Sequence, residues 1–164
     1  MRVLGIDPGT IHLGYGVVDA DEEMHMVSSG VLNSSSRTPR AEKLRSLYAG
    51  LNKIITEYQP DEVAIEEPFM GQNAHSAFAI GMAQTVAILA GANQGLPVYY
   101  YSPALVKQQV TSYGRGDKQQ VQEMVKIQLG LSQLPQSSDA ADALAVAICH
   151  IQQHRLNQWL ADRS

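Results

Sequence analysis

Apolar residues fall along this chain in short blocks, and the period within each block assigns its element. Arg2 to Asp7 is a compact apolar run closed by an acid and predicts a buried strand. Tyr15 to Asp19 and Met24 to Leu32 predict two more, joined by a turn at Asp21-Glu22-Glu23, so the chain opens as an antiparallel meander. A polar stretch from Asn33 to Arg37 follows. Pro39 suits a first helical turn, and Leu44, Leu47, Leu51, Ile54, Ile55 and Tyr58 recur at helical spacing as far as Pro60. Glu62 to Glu66 is a short apolar strand ending in acid, and after a loop through Pro68 a helix is expected from about Asn73 to Asn93. Gly95 and Pro97 break the pattern before a strand at Val98 to Tyr101. Ser102 and Pro103 then open a helix to about Thr111. Beyond the glycine-rich loop Tyr113-Gly114-Arg115-Gly116, Lys118 to Leu129 carries Val121, Met124, Val125 and Gln128 on a helical period, with Gly130 placed to end it. A last helix starts near Ser138. The order fits an α/β fold, a five-stranded mixed sheet flanked by helices.

With 164 residues and 45% hydrophobic content, the chain can bury one substantial core but not two, which predicts a single domain over residues 1–164. No run approaches the roughly 18 consecutive apolar residues of a membrane span, and Arg2 to Ile6 is too short for a signal-peptide core, so a soluble cytoplasmic protein is expected. The single cysteine, Cys149, lies in the apolar run Ala143 to Cys149 and is expected to pack as a small hydrophobe. A net charge of -4 speaks against nucleic acid at first sight. That objection weakens if several of the carboxylates are neutralised by divalent cations.

Three separate segments place acid at the end of an apolar element. Asp7 follows Val3-Leu4-Gly5-Ile6, Glu66 follows Val63-Ala64-Ile65, and Asp139 and Asp142 open the last helix. Strand alternation puts Asp7 on the face of Gly5 and Glu66 on the face of Ala64, so another element can approach closely beside each acid. The alanine-rich last helix suits that approach, with Asp139 and Asp142 on one face at i and i+3. Four converging carboxylates repel one another and are tolerable with raised pKa values or with bound cations. An oxygen-only donor set favours Mg2+ or Mn2+, and a pair of such ions serves phosphodiester hydrolysis. Each segment alone also has a plain structural reading. Asp7-Pro8-Gly9-Thr10 is a serviceable turn, Glu66 and Glu67 are possible solvated strand ends, and Asp139 is a possible helix N-cap. The joint pattern is what favours a site.

At these same residues the chain resembles the RuvC family of Holliday junction resolvases. Gly5-Ile6-Asp7-Pro8-Gly9-Thr10 through Gly14-Tyr15-Gly16, Ala64-Ile65-Glu66 and Asp139-Ala140-Ala141-Asp142-Ala143-Leu144-Ala145 match its motifs in order, and the similarity covers nearly the whole chain. The resemblance implies an RNase H-like nuclease fold, with Asp7, Glu66, Asp139 and Asp142 as catalytic metal ligands. It implies a homodimer that makes paired symmetric nicks in a four-way junction, leaving 5'-phosphate and 3'-hydroxyl ends, with two Mg2+ per site or Mn2+ in their place. It further implies that Phe69 stacks on an unpaired base, that Lys107 and Lys118 contact DNA, and that RuvA and RuvB branch-migration proteins are partners. Arg115 sits in a loop suited to following a phosphate backbone. Glu67, beside Glu66, departs from the family's usual neutral residue. The helix from Asn73 to Asn93 is apolar over more of its circumference than one core-facing stripe requires, which suits contact with a second subunit. The phosphate loop of the actin and sugar-kinase ATPases offers another match to Asp7-Pro8-Gly9-Thr10, but 164 residues leave no room for the second domain of those proteins.

Overall fold

The computed structural model describes residues 1–67, 74–111 and 117–163. Its elements in chain order are β1 (Arg2–Asp7), β2 (His12–Ala20), β3 (Met24–Asn33), α1 (Arg40–Tyr58), β4 (Glu62–Glu66), α2 (Ala74–Asn93), β5 (Val98–Tyr101), α3 (Pro103–Thr111), α4 (Lys118–Gln128) and α5 (Ser138–Ala161). The strands form one mixed sheet in the order β3-β2-β1-β4-β5. The meander β1-β2-β3 is antiparallel, while β4 and β5 join β1 in parallel. The five-stranded mixed sheet expected from the pattern is the one found.

Strand alternation sorts the core into two layers. Leu4, Ile6, Leu13, Val17, Val63 and Ile65 face α1 and α2. Val3, Val18 and Ala64 face the other way, against α3, α4 and α5. Asp7 and Glu66 share the parity of Val3 and Ala64, so both belong to the α5 face. Helix α5 is buried almost all round from Ala140 to Ile151. That burial rests on missing side chains. A Cβ added to Gly5 would stand 2.1 Å from the Ala143 carbonyl oxygen, and one added to Gly14 would stand 2.0 Å from the Asp139 carbonyl oxygen. The close approach expected beside the acids is therefore made by glycines of β1 and β2 against the backbone of α5.

Local chemistry differs from the sequence reading at four places. Strand β2 starts at His12, three residues before the expected Tyr15, because its pairing with β3 runs back to His12 opposite Asn33. Pro39 is the cap residue of α1 rather than part of its first turn. Helix α4 begins with a reciprocal cap, in which the Asp117 carboxylate accepts from the Gln120 N–H at 2.8 Å and the Gln120 side chain accepts from the Asp117 N–H at 3.2 Å. Helix α2 is long and apolar enough in composition to cross a membrane, despite the absence of an unbroken apolar run. It packs on the sheet through Ala83, Val86, Ala87 and Ala90, and leaves Phe78 and Leu89 exposed.

Candidate active site

Two neighbouring parallel strands deliver two of the acids. Ile6 of β1 pairs with Ile65 of β4, so Asp7 and Glu66 leave the sheet side by side at the same edge. Asp7 also lies opposite Gly14 of β2, the glycine against which the start of α5 packs. Asp139 and Asp142 sit in the first turn and a half of that helix. Its N-cap is Ser137, whose Oγ accepts from the Ala140 N–H at 3.1 Å. The capping alternative for Asp139 is thereby removed, because another residue fills that place and the Asp139 carboxylate is left for the cluster.

One carboxylate oxygen each from Asp7, Asp139 and Asp142 lies within 4.8 Å of the others. Glu66 stands outside that tight group and faces a cleft of about 210 Å³ that it lines with Lys107, Lys118 and Asp142. Lys118, the first residue of α4, places its Nζ 3.0 Å from Asp142 Oδ2. Glu67 is exposed, and its N–H donates to the Tyr101 carbonyl at 2.9 Å, extending the β4–β5 pairing. Of the two adjacent glutamates, Glu66 is the one turned into the cleft.

The electrostatics match this crowding. Burial, then the charges of Asp142 and Asp139, push Asp7 up to about 7. Burial, then Asp7 and Asp142, push Glu66 up to about 8. Asp142 is also raised, by burial, although its hydrogen bond to Lys118 works against the rise. The same hydrogen bond raises Lys118 and keeps it cationic. Carboxylates held half-neutral by mutual repulsion suit a hard divalent cation, since an oxygen-only set of this kind lacks the sulfur or imidazole that zinc favours. The donor chemistry thus fits Mg2+ or Mn2+.

The structure brings together Asp7, Glu66, Asp139, Asp142, Lys107 and Lys118. Phe69 and Arg115 lie outside the described residues. Sequence reasoning missed two features. One is the Lys118–Asp142 ion pair, which the Asp117-x-x-Gln120 spacing announces by fixing a helix start at Lys118. The other is a buried polar chain two turns further along α5, where His150 Nε2 meets Glu62 Oε2 at 2.5 Å and His150 Nδ1 meets the Tyr101 hydroxyl at 2.7 Å. No spacing rule links residues so distant in sequence.

With this geometry in place, comparison with known proteins is informative. The family model described as crossover junction endodeoxyribonuclease RuvC matches residues 3–150. A protein of that name from Dehalococcoides mccartyi strain BAV1 is 52% identical over 151 residues, covering 92% of this chain and 90% of that one. The structure of Thermus thermophilus RuvC in complex with Holliday junction substrate superposes with a TM-score of 0.91 at 34% identity, covering 96% of each chain. The yeast mitochondrial Holliday junction resolvase shares the fold at a TM-score of 0.67 and 16% identity, covering 96% of this chain and 82% of that one.

Proposed function

The chain belongs to the RuvC family of crossover junction endodeoxyribonucleases, and from that premise we propose that it resolves four-way DNA junctions at the carboxylate centre formed by Asp7, Glu66, Asp139 and Asp142. The observation that carries the reading is the convergence of three aspartate oxygens within 4.8 Å at the edge of a cleft lined by two lysines. Metal-dependent hydrolysis follows from the family and from the donor set.

Asp7, Asp139, Asp142 and Glu66 are the residues that would hold Mg2+, or Mn2+ in its place, two ions to a site. The chemistry such ions supply when bound is activation of a water and stabilisation of the departing 3'-oxygen. The chain's own side chains do the rest. The glycine contacts of β1 and β2 with α5 fix the three aspartates on rigid elements, which holds the ligand positions without a loop to reorganise. Lys118, cationic and anchored to Asp142, neutralises charge at the scissile phosphate. Lys107, on the same cleft, positions the backbone on either side of it. Phe69 and Arg115 are further DNA contacts on the strength of the resemblance. The products are ends with 5'-phosphate and 3'-hydroxyl groups.

Two symmetric nicks require two such centres. The exposed apolar side of α2, with Phe78 and Leu89, supports a two-fold homodimer. The family also brings a cytoplasmic location and coupling to RuvA and RuvB. Incubating a synthetic four-way junction and a matched linear duplex with Mg2+ tests the function: paired nicks in the junction alone are expected, and equal cutting of both substrates would remove junction selectivity.

A further inference from the structure

A second cleft, of about 360 Å³, opens where the starts of α1 and α2 meet the loops after β1 and β3, and its walls include Thr10, Ser36, Arg40, Lys43, His75 and Phe78. Helices α1 and α2 cover the sheet face opposite α5. The carboxylate edge therefore has a cationic cleft on each flank, Lys107 and Lys118 on one side, Arg40 and Lys43 on the other. The second cleft is near the chemistry by chain reach alone. Thr10 is three residues beyond Asp7, at most about 10 Å away, and that is the rise of only a few nucleotides at about 3.4 Å each.

Several features make this cleft suited to anions. None of its lining residues is acidic, although the chain as a whole carries a net charge of -4. The Arg40 guanidinium lies 5.5 Å from the centroid of the exposed Phe78 ring, an arrangement that holds the cation in place while leaving its N–H edges free to bind. Lys43 Nζ donates to the Ser36 carbonyl at 3.1 Å and keeps two further donors. Among the described residues, neither Arg40 nor Lys43 lies within 4.0 Å of a carboxylate. The cap residue of α1, Pro39, offers no side-chain acceptor, so first-turn N–H groups remain open beside Arg40, with exposed Glu42 as the one opposing charge in that turn. The loops are tied together as well. Ser34 Oγ donates to the Thr10 carbonyl at 2.6 Å and the Ser34 N–H donates to the Ile11 carbonyl at 2.8 Å, so the segment that begins at Asp7 and the one that carries Ser36 hold a fixed relation.

We propose that the cleft between the starts of α1 and α2 is a second phosphate-contact surface, in which Arg40 and Lys43 take the DNA backbone on the flank of the carboxylate centre opposite Lys107 and Lys118. The inference rests on the nuclease reading of the site. It adds a prescribed path for the strand: across the carboxylate edge from one cationic cleft to the other. A molecule with excess acid elsewhere then needs only these few cations to track a backbone.

The test uses the full chain and a synthetic four-way junction without divalent metal, so that binding is read without cutting. Dissociation constants for wild type and the double variant Arg40→Ala/Lys43→Ala are measured from about 50 to 200 mM NaCl. Two lost phosphate contacts should reduce the slope of log K against log salt by about 1.8. The charge-preserving pair Arg40→Lys/Lys43→Arg should keep the wild-type slope. Thermal unfolding and sedimentation of each variant accompany the binding curves. An unchanged slope in a folded Arg40→Ala/Lys43→Ala protein overturns the proposal, and so does a slope change that occurs only together with loss of the dimer. Because the slope is read on binding, a wild type that binds but cuts nothing in Mg2+ counts against the nuclease reading alone.

Discussion

Gly5 of β1 lies so close to Ala143 of α5 that one added methyl carbon would stand 2.1 Å from the Ala143 carbonyl oxygen. Gly14 stands in the same relation to Asp139, at 2.0 Å. In both cases the obstacle is helix backbone, which cannot swing aside as a side chain can. The acids of α5 are therefore positioned by what β1 and β2 lack.

Gly5→Ala must push α5 off the sheet. Overpacking of this kind costs about 1–3 kcal/mol or more, and it moves Asp139 and Asp142 together. Urea unfolding should show the loss of stability, and whatever folded protein remains should cut poorly. Gly81 in α2 meets nothing within 4 Å, so Gly81→Ala is the control and should be neutral or stabilising by up to about 1 kcal/mol through helix propensity. Equal stability of the two variants would contradict the backbone contact.

The raised carboxylates give the metal-free protein a pH dependence of definite sign. Asp7 and Glu66 rise from ordinary values of 3.8 and 4.5 to about 7 and about 8. The native state then binds more protons than the unfolded state between those limits, so stability falls as pH rises through them and levels off above about 8. His150 acts in the opposite sense at lower pH. Burial depresses it below 6.5 despite its bond to Glu62, so its contribution is lost as pH falls under that value. Thermal melts in EDTA from pH 6.5 to 8.5 isolate the carboxylates. The melting temperature should decrease across this window, and Asp7→Asn should flatten the decrease. A rising melting temperature would mean that the acids are not crowded as described.

Lys118 is exposed yet anchored, with its Nζ 3.0 Å from Asp142 Oδ2. Lys118→Ala removes one cation from the cleft without touching the core. Nicking of a saturated junction should slow by roughly 100-fold, the scale for losing one group that stabilises developing charge, while junction binding weakens only slightly. Normal single-turnover cutting by this variant would take Lys118 out of the chemistry.

Most of the architecture was legible because it follows from period. The alternation in β1 and β4 placed Asp7 with Gly5 and Glu66 with Ala64, and the alanines of α5 signalled close approach. Helix ends were less legible. Asp139 was as good an N-cap as its neighbours on residue type, and only the Ser137 Oγ bond to the Ala140 N–H decides between them. The choice between Glu66 and Glu67 needed the register with β5. The Arg40–Lys43 cleft was invisible, because its walls come from four segments that only the folded chain brings together. The same holds for Glu62, His150 and Tyr101.

The most direct test of the carboxylate centre compares wild type with Asp7→Asn on a mobile four-way junction, reading binding and nicking in parallel with Mg2+ or Mn2+. The expected result is paired nicks by the wild type, and junction binding with no nicks by Asp7→Asn, whose amide keeps the shape of the acid and loses its charge. Nicking by Asp7→Asn at the wild-type rate, in either metal, would contradict the assignment of Asp7 and with it the centre built around it.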